Sequence, residues 1–549
     1  MKALKIGILI RDIDKLDNWE YRILKHIIEH PNLELSLFIK DGRDKKRSFK
    51  TRVRNDLFTI KVFANALWKI QMKLESTIYR KKLTVNADEI IEKTKSIETI
   101  YLFPERKGFL DIFSKDDAEI VNEYNLDIIL RHEFGIIRGD ILHASKYGIW
   151  SYHHADNAIN RGLPAGFWEI VNNEPCCGVT LQQLTPELDG GLIIDKAWFN
   201  WHWAFTKNNN MLLEKSVVLL FKNIDMLLKH GKIEIIKSLT YYNKLYKKPN
   251  LKYMIFYMLK FYYNTLKHIV NSLLPSKAMG RWTLFFGKGI FLESVLFRLK
   301  PVLIPKKVFW ADPFLYEYDN QLYVFFENFS YKTKRGKISV GKVVESNKNN
   351  YSVVDIQDVL DFDYHLSYPQ VVNEDGQIFL IPETNQNKRL EVYQCLSFPD
   401  KWELYSTAFE GEKVVDTTYF CDKNNDRWLF INKGWADEAE LHIYKIDNLK
   451  LNSIIPHEQN PVLIDCRKGR NGGEIFKYDN EYYRPSQIIT HGIYGKGLQI
   501  NKIKKLTLWD FEDEPVITIE PNFSKKLMGM HHLHQYGNNF TFDANFKRL

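Results

Sequence analysis

The stretch from Gly148 to Gly191 reads GIWSYHHADNAINRGLPAGFWEIVNNEPCCGVTLQQLTPELDGG. His153 follows a short apolar run and opens a loop that carries His154, Asp156, Asn157, Asn160 and Arg161. Asp189 stands 36 positions after His153, behind the alternating run 178–184. A histidine and an aspartate leaving the ends of two strands can meet in an open α/β sheet, where strand ends form the site. An imidazole beside a carboxylate handles protons near neutral pH. His153 and Asp189 are therefore the first catalytic candidates. Neighbouring residues on a strand point to opposite faces, so only one of His153 and His154 is expected to face the site.

Working outward, the chain upstream alternates strand and helix signals. Residues 4–10 read as a buried strand, 19–29 carry helical apolar spacing, and 33–39 form a second strand. Residues 43–95 read as an inserted helical stretch rich in lysine and arginine. Strand signals return at 99–103, 127–130 and 149–152. This order predicts a Rossmann-type α/β domain with a mostly parallel sheet over residues 1–235. No GxGxxG follows the first strand, so a dinucleotide is not implied.

Gly148, His153, Arg161-Gly162, Gly178-Val179-Thr180 and Leu188-Asp189-Gly190-Gly191 fall in an order and spacing that resembles the catalytic domain of the folate-dependent formyltransferases. That family includes methionyl-tRNA formyltransferase, glycinamide ribonucleotide transformylase and the sugar N-formyltransferases. Upstream, residues 126–130 and 134–137 resemble its pterin-holding strand and turn. The resemblance covers roughly residues 1–230 and implies an α/β formyltransferase-like fold.

It also implies 10-formyltetrahydrofolate as cofactor, held near Glu133, Phe134, Gly135 and Ile137. His153, Asp189 and Ser151 would be catalytic, and His154, Asp156, Asn157, Asn160 and Arg161 would contact the acceptor. The acceptor expected is a small-molecule amine, on an amino sugar or nucleotide-sugar used for surface polysaccharide. One departure stands out: the family's asparagine two residues before the histidine is Ser151. Losing one oxyanion donor costs about a hundredfold in rate; His154 or Asn157 is the expected substitute. A degenerate formyltransferase scaffold, with the second half of the chain as a glycan-binding or glycan-processing propeller, is the alternative reading.

The chain has 549 residues, 45% hydrophobic and 26% charged, with a net charge of +9. That length exceeds a single core. Basic residues are scattered rather than aligned in one stripe, which speaks against nucleic acid and suits an anionic small molecule or an anionic membrane surface. Five cysteines without CxxC or zinc-like spacing fit a reducing, cytoplasmic setting. The apolar run 6–10 is too short for a signal peptide or anchor.

Residues 236–299 read as a helical, aromatic connector. Its segment 251–274, LKYMIFYMLKFYYNTLKHIVNSLL, is too charged to span a bilayer. Two readings stay open: a helix packed between domains, or one lying peripheral to the membrane surface.

From residue 300 to 549 the helical period gives way to a repeat: an apolar strand, a polar turn, a second apolar strand. It recurs from Trp310, Tyr368, Asp416, Gly473 and His531, which predicts an all-β five-bladed propeller. This half resembles the N-terminal region of plant glucosamine inositolphosphorylceramide transferase and, more distantly, five-bladed furanosidase-type glycoside hydrolases. The resemblance implies a carbohydrate-directed funnel with Asp312, Glu383, Asp416, Glu474 and His532 as candidates for a glycan. Paired carboxylates would permit glycoside hydrolysis; ordinary turn chemistry is the other reading of these aspartates. His531, His532 and His534 offer imidazoles, but Asp543 is remote in sequence, so no metal is expected.

Overall fold

The computed structural model describes residues 3–43, 60–79, 83–187, 190–237, 240–273, 280–347, 349–433 and 439–547. The chain divides into two compact units, Met1–Thr265 and Leu266–Leu549.

The first unit is built on a seven-stranded sheet. Its strands, in chain order, are β1 (Leu4–Leu9), β2 (Leu33–Asp41), β3 (Thr99–Leu102), β6 (Ile128–Arg131), β8 (Ile149–His153), β10 (Cys177–Gln183) and β11 (Leu192–Phe199). A small sheet joins β4 (Glu105–Lys107), β5 (Leu110–Ile112) and β7 (Ile136–Arg138), and β9 (Arg161–Gly162) pairs with β12 (Leu245–Tyr246). The helices are α1 (Asn18–Glu29), α2 (Ile60–Ile78), α3 (Ala87–Thr94), α4 (Lys115–Asn122), α5 (Trp168–Asn172), α6 (Phe205–His230) and α7 (Leu251–Leu273).

The large sheet runs β11-β10-β8-β6-β1-β2-β3. From β3 to β8 all pairings are parallel, while β10 and β11 turn antiparallel at the edge. Central strands covered on both faces need continuous apolar runs, and Ile6, Ile8, Leu9, Ile128 and Ile129 are all fully buried. Strand order reverses between β1 and β6, so their carboxyl ends leave a crevice where ligands of such sheets collect. The inserted stretch contains α2 and α3, with residues 44–59 and 80–82 outside the described set. The hairpin β4–β5 was not expected; it folds back so that buried Asp111 holds the turn before β7.

The second unit is all-β. The first sheet contains Val308–Tyr318, Gln321–Ser330, Arg335–Asn347 and Asn350–Leu360. The second contains Ser367–Glu374, Gln377–Glu383, Leu390–Ser397 and Lys401–Ala408. The third and fourth begin with Val414–Cys421 and Arg470–Asn471. In the fifth, the last strand, Asn539–Phe546, pairs along its length with β13 (Arg281–Lys288). The connector expectation for 236–299 is thus corrected at this end: β13 belongs to the fifth sheet, because its apolar face is buried only there. Turns Asp319-Asn320 and Asp479-Asn480 take left-handed φ at both positions, as two-residue hairpins of matching twist require.

No sheet buries a face alone. One apolar cluster joins the first and second sheets (Phe325, Leu380), another the second and third (Ile381, Leu429). Others join the third and fourth (Phe430, Ile503), the fourth and fifth (Leu498, Phe542) and the fifth and first (Phe286, Trp310). The sheets therefore close a ring.

Candidate functional sites

In the first unit the strand β8 sorts its side chains by face. Tyr152 and His154 stack against each other at 5.3 Å and pack on Trp19, and His154 Nε2 lies 3.5 Å from the Ser216 hydroxyl. Burial pushes the His154 imidazole down to about 3, so it stays neutral. His154 is a packing residue, and its expected contact with the acceptor is corrected accordingly. His153 is half-buried. Its Nε2 lies 2.8 Å from the Asn160 carbonyl; a carbonyl only accepts, so Nε2 carries the proton and Nδ1 is the basic nitrogen.

Ser151 is buried, and its Oγ accepts a 3.1 Å bond from Arg131 Nη1. Arg131 Nη2 also donates to the Phe134 and Gly135 carbonyls. This guanidinium, not anticipated from the sequence, ties the turn after β6 to the serine. Its signal was available: a charged residue ending an otherwise apolar strand. Phe134 has a φ of 71° and packs on Phe113. A Cβ on Gly135 would fall on the Phe109 carbonyl oxygen, so only glycine fits. Glu133 donates its N–H to the Leu9 carbonyl at the crevice. Ile137 sits in the core and offers nothing to a ligand, which corrects that expectation.

The loop after His153 is mostly engaged. Asp156 pairs with Lys196 at 2.7 Å and accepts from the Trp198 indole at 3.0 Å. Lys196 and Trp198 come from β11, and they hold the Asp156 carboxyl below its ordinary range against the opposing cost of burial. Asp156 therefore fastens the loop and is corrected as an acceptor contact. Arg161 Nε donates to the Asn157 carbonyl, and its guanidinium lies 4.5 Å over the Tyr241 ring. Asn157 is buried, and its Nδ2 has no hydrogen-bond partner. Asn160 donates through Nδ2 to Glu169 Oε1 at 3.1 Å. Burial pushes Glu169 up to about 7. Glu169 was missed because it reads as a helix residue. Asp189 lies outside the described residues.

An orphaned buried amide, a serine hydroxyl and a guanidinium near a half-buried histidine form a donor set suited to an acyl oxygen that gains charge. The residues present therefore fit a formyl-carrying folate.

In the second unit the inner strands of the first three sheets each break register at one bulge: between Ala311 and Phe314, Ser367 and Gln370, and Val415 and Thr418. There Asp312, Tyr368 and Asp416 adopt left-handed φ of 50°, 47° and 44°. A non-glycine residue in that region costs about 1–2 kcal/mol. Such outliers persist where the surroundings over-determine them, commonly at functional sites. In the fourth sheet the position is Gly473, φ 131°.

These bulges link the sheets. Asp312 N–H donates to Asp543 at 2.9 Å, Tyr368 N–H to Asp312 at 3.3 Å, and Asp416 N–H to Glu383 at 3.2 Å. Arg470 Nε donates to Asp416 at 2.6 Å, joined there by Gln487 Nε2 at 3.0 Å. Gly473 N–H donates to the Tyr368 hydroxyl. The candidates Asp312, Glu383 and Asp416 thus come together. Glu474 instead accepts from His534 Nε2 at 2.9 Å, while His534 Nδ1 accepts from Leu315 N–H. His532 is fully buried between Phe314 and Tyr368, with neither ring nitrogen partnered. Its burial keeps the imidazole neutral, and it is not open to a glycan, which corrects the funnel expectation.

Glu327 and Arg470 escaped the sequence reading, and His531 and Asp543 were named there without being paired. Glu327 is buried and held well above the carboxylate range by burial, with Asp312 and Glu383 adding repulsion. It follows Asp312 by 15 positions, as Glu383 follows Tyr368; that shared offset was the signal. His531 Nδ1 lies 2.8 Å from Asp543, and its ring stacks at 3.9 Å on Trp282. Burial opposes the imidazolium, but Asp543 and Asp312 override it and raise His531. Asp543 is remote only along the chain: the turn after Tyr536 pairs Leu533 with Phe542, bringing Asp543 beside His532. Arg470 lies 5.3 Å from the Tyr494 ring. Asp312 is pushed up to about 7 by burial, with His531 opposing and Asp543 and Asp416 adding to it.

Asp312, His531 and Asp543 have the donor types of a metal centre. Asp543, however, already accepts from the N–H groups of Asp312, His531 and His532 and from His531 Nδ1. Its four lone pairs are spoken for. The trio is an Asp–His pair rather than a cation cage.

Residues 303–534 match the family model described as "Glucosamine inositolphosphorylceramide transferase 1, N-terminal". The match lies within the second unit. Proteins of that name from Oryza sativa subsp. indica and Arabidopsis thaliana are each 32% identical over 214 residues, 38% of this chain. The aligned stretch spans only 28% and 27% of those proteins. Among solved structures, a 4-N formyltransferase from Francisella tularensis is similar at 17% identity and TM-score 0.28, covering 47% of this chain and 87% of that one. A GH43 β-xylosidase/α-arabinofuranosidase from a compost metagenome is similar at 14% identity and TM-score 0.31, covering 43% and 85%.

Proposed function

We propose that the first unit transfers a formyl group to an amine on an amino sugar, and that the second is a five-bladed propeller that binds carbohydrate at its axis. The observation that carries the first part is the fixed tautomer of His153 at the carboxyl end of β8, beside the Arg131–Ser151 pair. When bound, 10-formyltetrahydrofolate supplies the formyl group. Arg131, Ser151 and the unpartnered Asn157 amide donate to the oxygen that gains charge. His153 exchanges its proton at Nδ1, since Nε2–H is committed to the Asn160 carbonyl. Asp189 keeps the role the sequence resemblance assigns it, receiving the amine proton through water.

Asp312, Glu383, Asp416 and the Arg470 guanidinium, gathered where the sheets meet, suit a ligand rich in hydroxyls. The plant relatives are named for glucosamine, an amino sugar of the proposed class.

Isothermal titration of the full chain with a non-transferring 10-formyltetrahydrofolate analogue tests the proposal, followed by transfer assays on amino-sugar nucleotides. Micromolar binding, and transfer lost in His153→Ala, is the expected result. No heat up to millimolar analogue sinks it. The second reading keeps the first unit as a scaffold and gives all function to the axis. It draws on the strained Asp312 and Asp416, and it expects glycan binding without folate binding.

A further inference from the structure

Helix α7 carries more apolar surface than its packing uses. Its inner face buries Met254, Tyr257 and Phe261, and the Tyr257 hydroxyl donates to Glu75 of α2 at 2.6 Å. A surface helix needs one apolar stripe of this kind. α7 has a second. Ile255, Leu259, Tyr262, Leu266, Ile269 and Leu273 recur at spacings of three and four, and all are exposed, Leu259 at 66% and Leu273 at 73%. Phe256, Tyr263 and Val270 widen the stripe. At 1.5 Å per residue the helix is about 35 Å long, so this is an extended apolar strip, not an isolated exposed leucine.

The polar residues of α7 say what could cover the strip. The helix contains no aspartate or glutamate, while Lys252, Lys260, Lys267 and His268 lie along it. On an ideal helix Lys260, Asn264, Lys267 and Asn271 fall on the sector between the two apolar stripes; Lys260 is turned inward, donating to the Ile170 carbonyl and lying over the Trp201 ring, which leaves Lys267 on this sector and Lys252 beside the outer stripe. A second copy of the chain laid on this strip would set lysines against lysines without an acidic partner. Amphipathic helices with lysine on the polar sector and aromatic and aliphatic side chains on the other lie in the headgroup region of bilayers. Lysine stems reach along the apolar surface and keep the ammonium at the phosphates. No described helix is long and apolar enough to cross a membrane, so the mode would be interfacial.

We propose that the outer face of α7 docks the protein onto an anionic lipid surface, with Leu259, Leu266 and Leu273 entering the acyl boundary and Lys252 and Lys267 meeting the headgroups. The inference does not depend on formyl transfer or on the axial site.

Co-flotation of the full chain with vesicles tests it. Vesicles of phosphatidylcholine with a third phosphatidylglycerol should carry the protein, and pure phosphatidylcholine should not. Each lysine near a charged surface contributes about fivefold to partitioning, so two of them separate Lys252→Glu/Lys267→Glu from the wild type by roughly 25-fold or more. Leu259→Glu/Leu266→Glu, on exposed positions that leave the packed face intact, should abolish flotation while the thermal unfolding of the full chain stays unchanged. Two results overturn the proposal: no flotation of the wild type at any composition, or flotation unaltered in both variants. A dimer in light scattering that Leu259→Glu/Leu266→Glu dissolves would also overturn it, assigning the strip to a second copy.

Discussion

Glu169→Gln should make the first unit less sensitive to alkali. The carboxyl is 3% exposed, its Oε1 accepts from Asn160, and its Oε2 has no partner. Burial is the main cause that raises it from an ordinary 4.5 to about 7, with hydrogen bonds from the backbone and Asn160 only partly offsetting. The folded state therefore holds the proton more tightly than the unfolded chain. Below pH 4.5 both states are protonated and the group is neutral to stability. As pH rises from 4.5 through 7 the unfolded chain ionises first, and stability is lost until both forms are charged. At about 1.4 kcal/mol per pH unit the loss reaches about 3 kcal/mol. Glutamine keeps the acceptor for Asn160 and does not titrate. In a unit of this size a kcal/mol moves Tm by about 2–4 °C. Scanning calorimetry of the full chain at pH 4.5 and pH 8 should then show the first unit of the wild type losing about 6–12 °C relative to Glu169→Gln. Equal offsets at both pH values would refute the buried, half-protonated carboxyl.

Two other perturbations probe the sites. Arg131→Gln should lower formyl transfer by about a hundredfold or more and weaken analogue affinity as well, because the guanidinium both donates to charge that develops during reaction and holds the Phe134–Gly135 turn; pre-steady-state assays and analogue titration read the two effects separately. Arg470→Met should destabilise the second unit by about 3–5 kcal/mol, since it leaves buried Asp416 without its cation. Arg470→Met/Asp416→Asn, which removes the charge but keeps the left-handed position and the acceptor for Gln487, should recover most of that loss in thermal unfolding.

Much of the fold is legible from side-chain periodicity. The apolar runs of β1, β2 and β6 announce strands buried on both faces, because only a covered parallel sheet tolerates them. Of the five repeats from Trp310 to His531, those at Trp310, Tyr368 and Asp416 fall in the first strand of a sheet, while Gly473 and His531 fall just outside strands. The hairpin turn after Tyr536 brings Asp543 back beside the histidines. Residue type and spacing also single out His153, Asp312 and Asp416.

What the sequence alone could not give is which partner each group meets across the fold. Asp156 resembles an acceptor-binding residue until Lys196, 40 positions away, closes on it. The strand β13 reads as connector because its partner lies about 250 residues downstream. His153 and His154 are equivalent as letters; the sheet's pleat turns His154 onto Trp19 and Tyr152 and leaves His153 on the opposite side, against the Asn160 carbonyl. Periodicity reports which face of an element is apolar, because that is a local property of the chain. The partner a face buries against, and the pKa that burial imposes, depend on contacts between distant segments, and only the tertiary structure decides those.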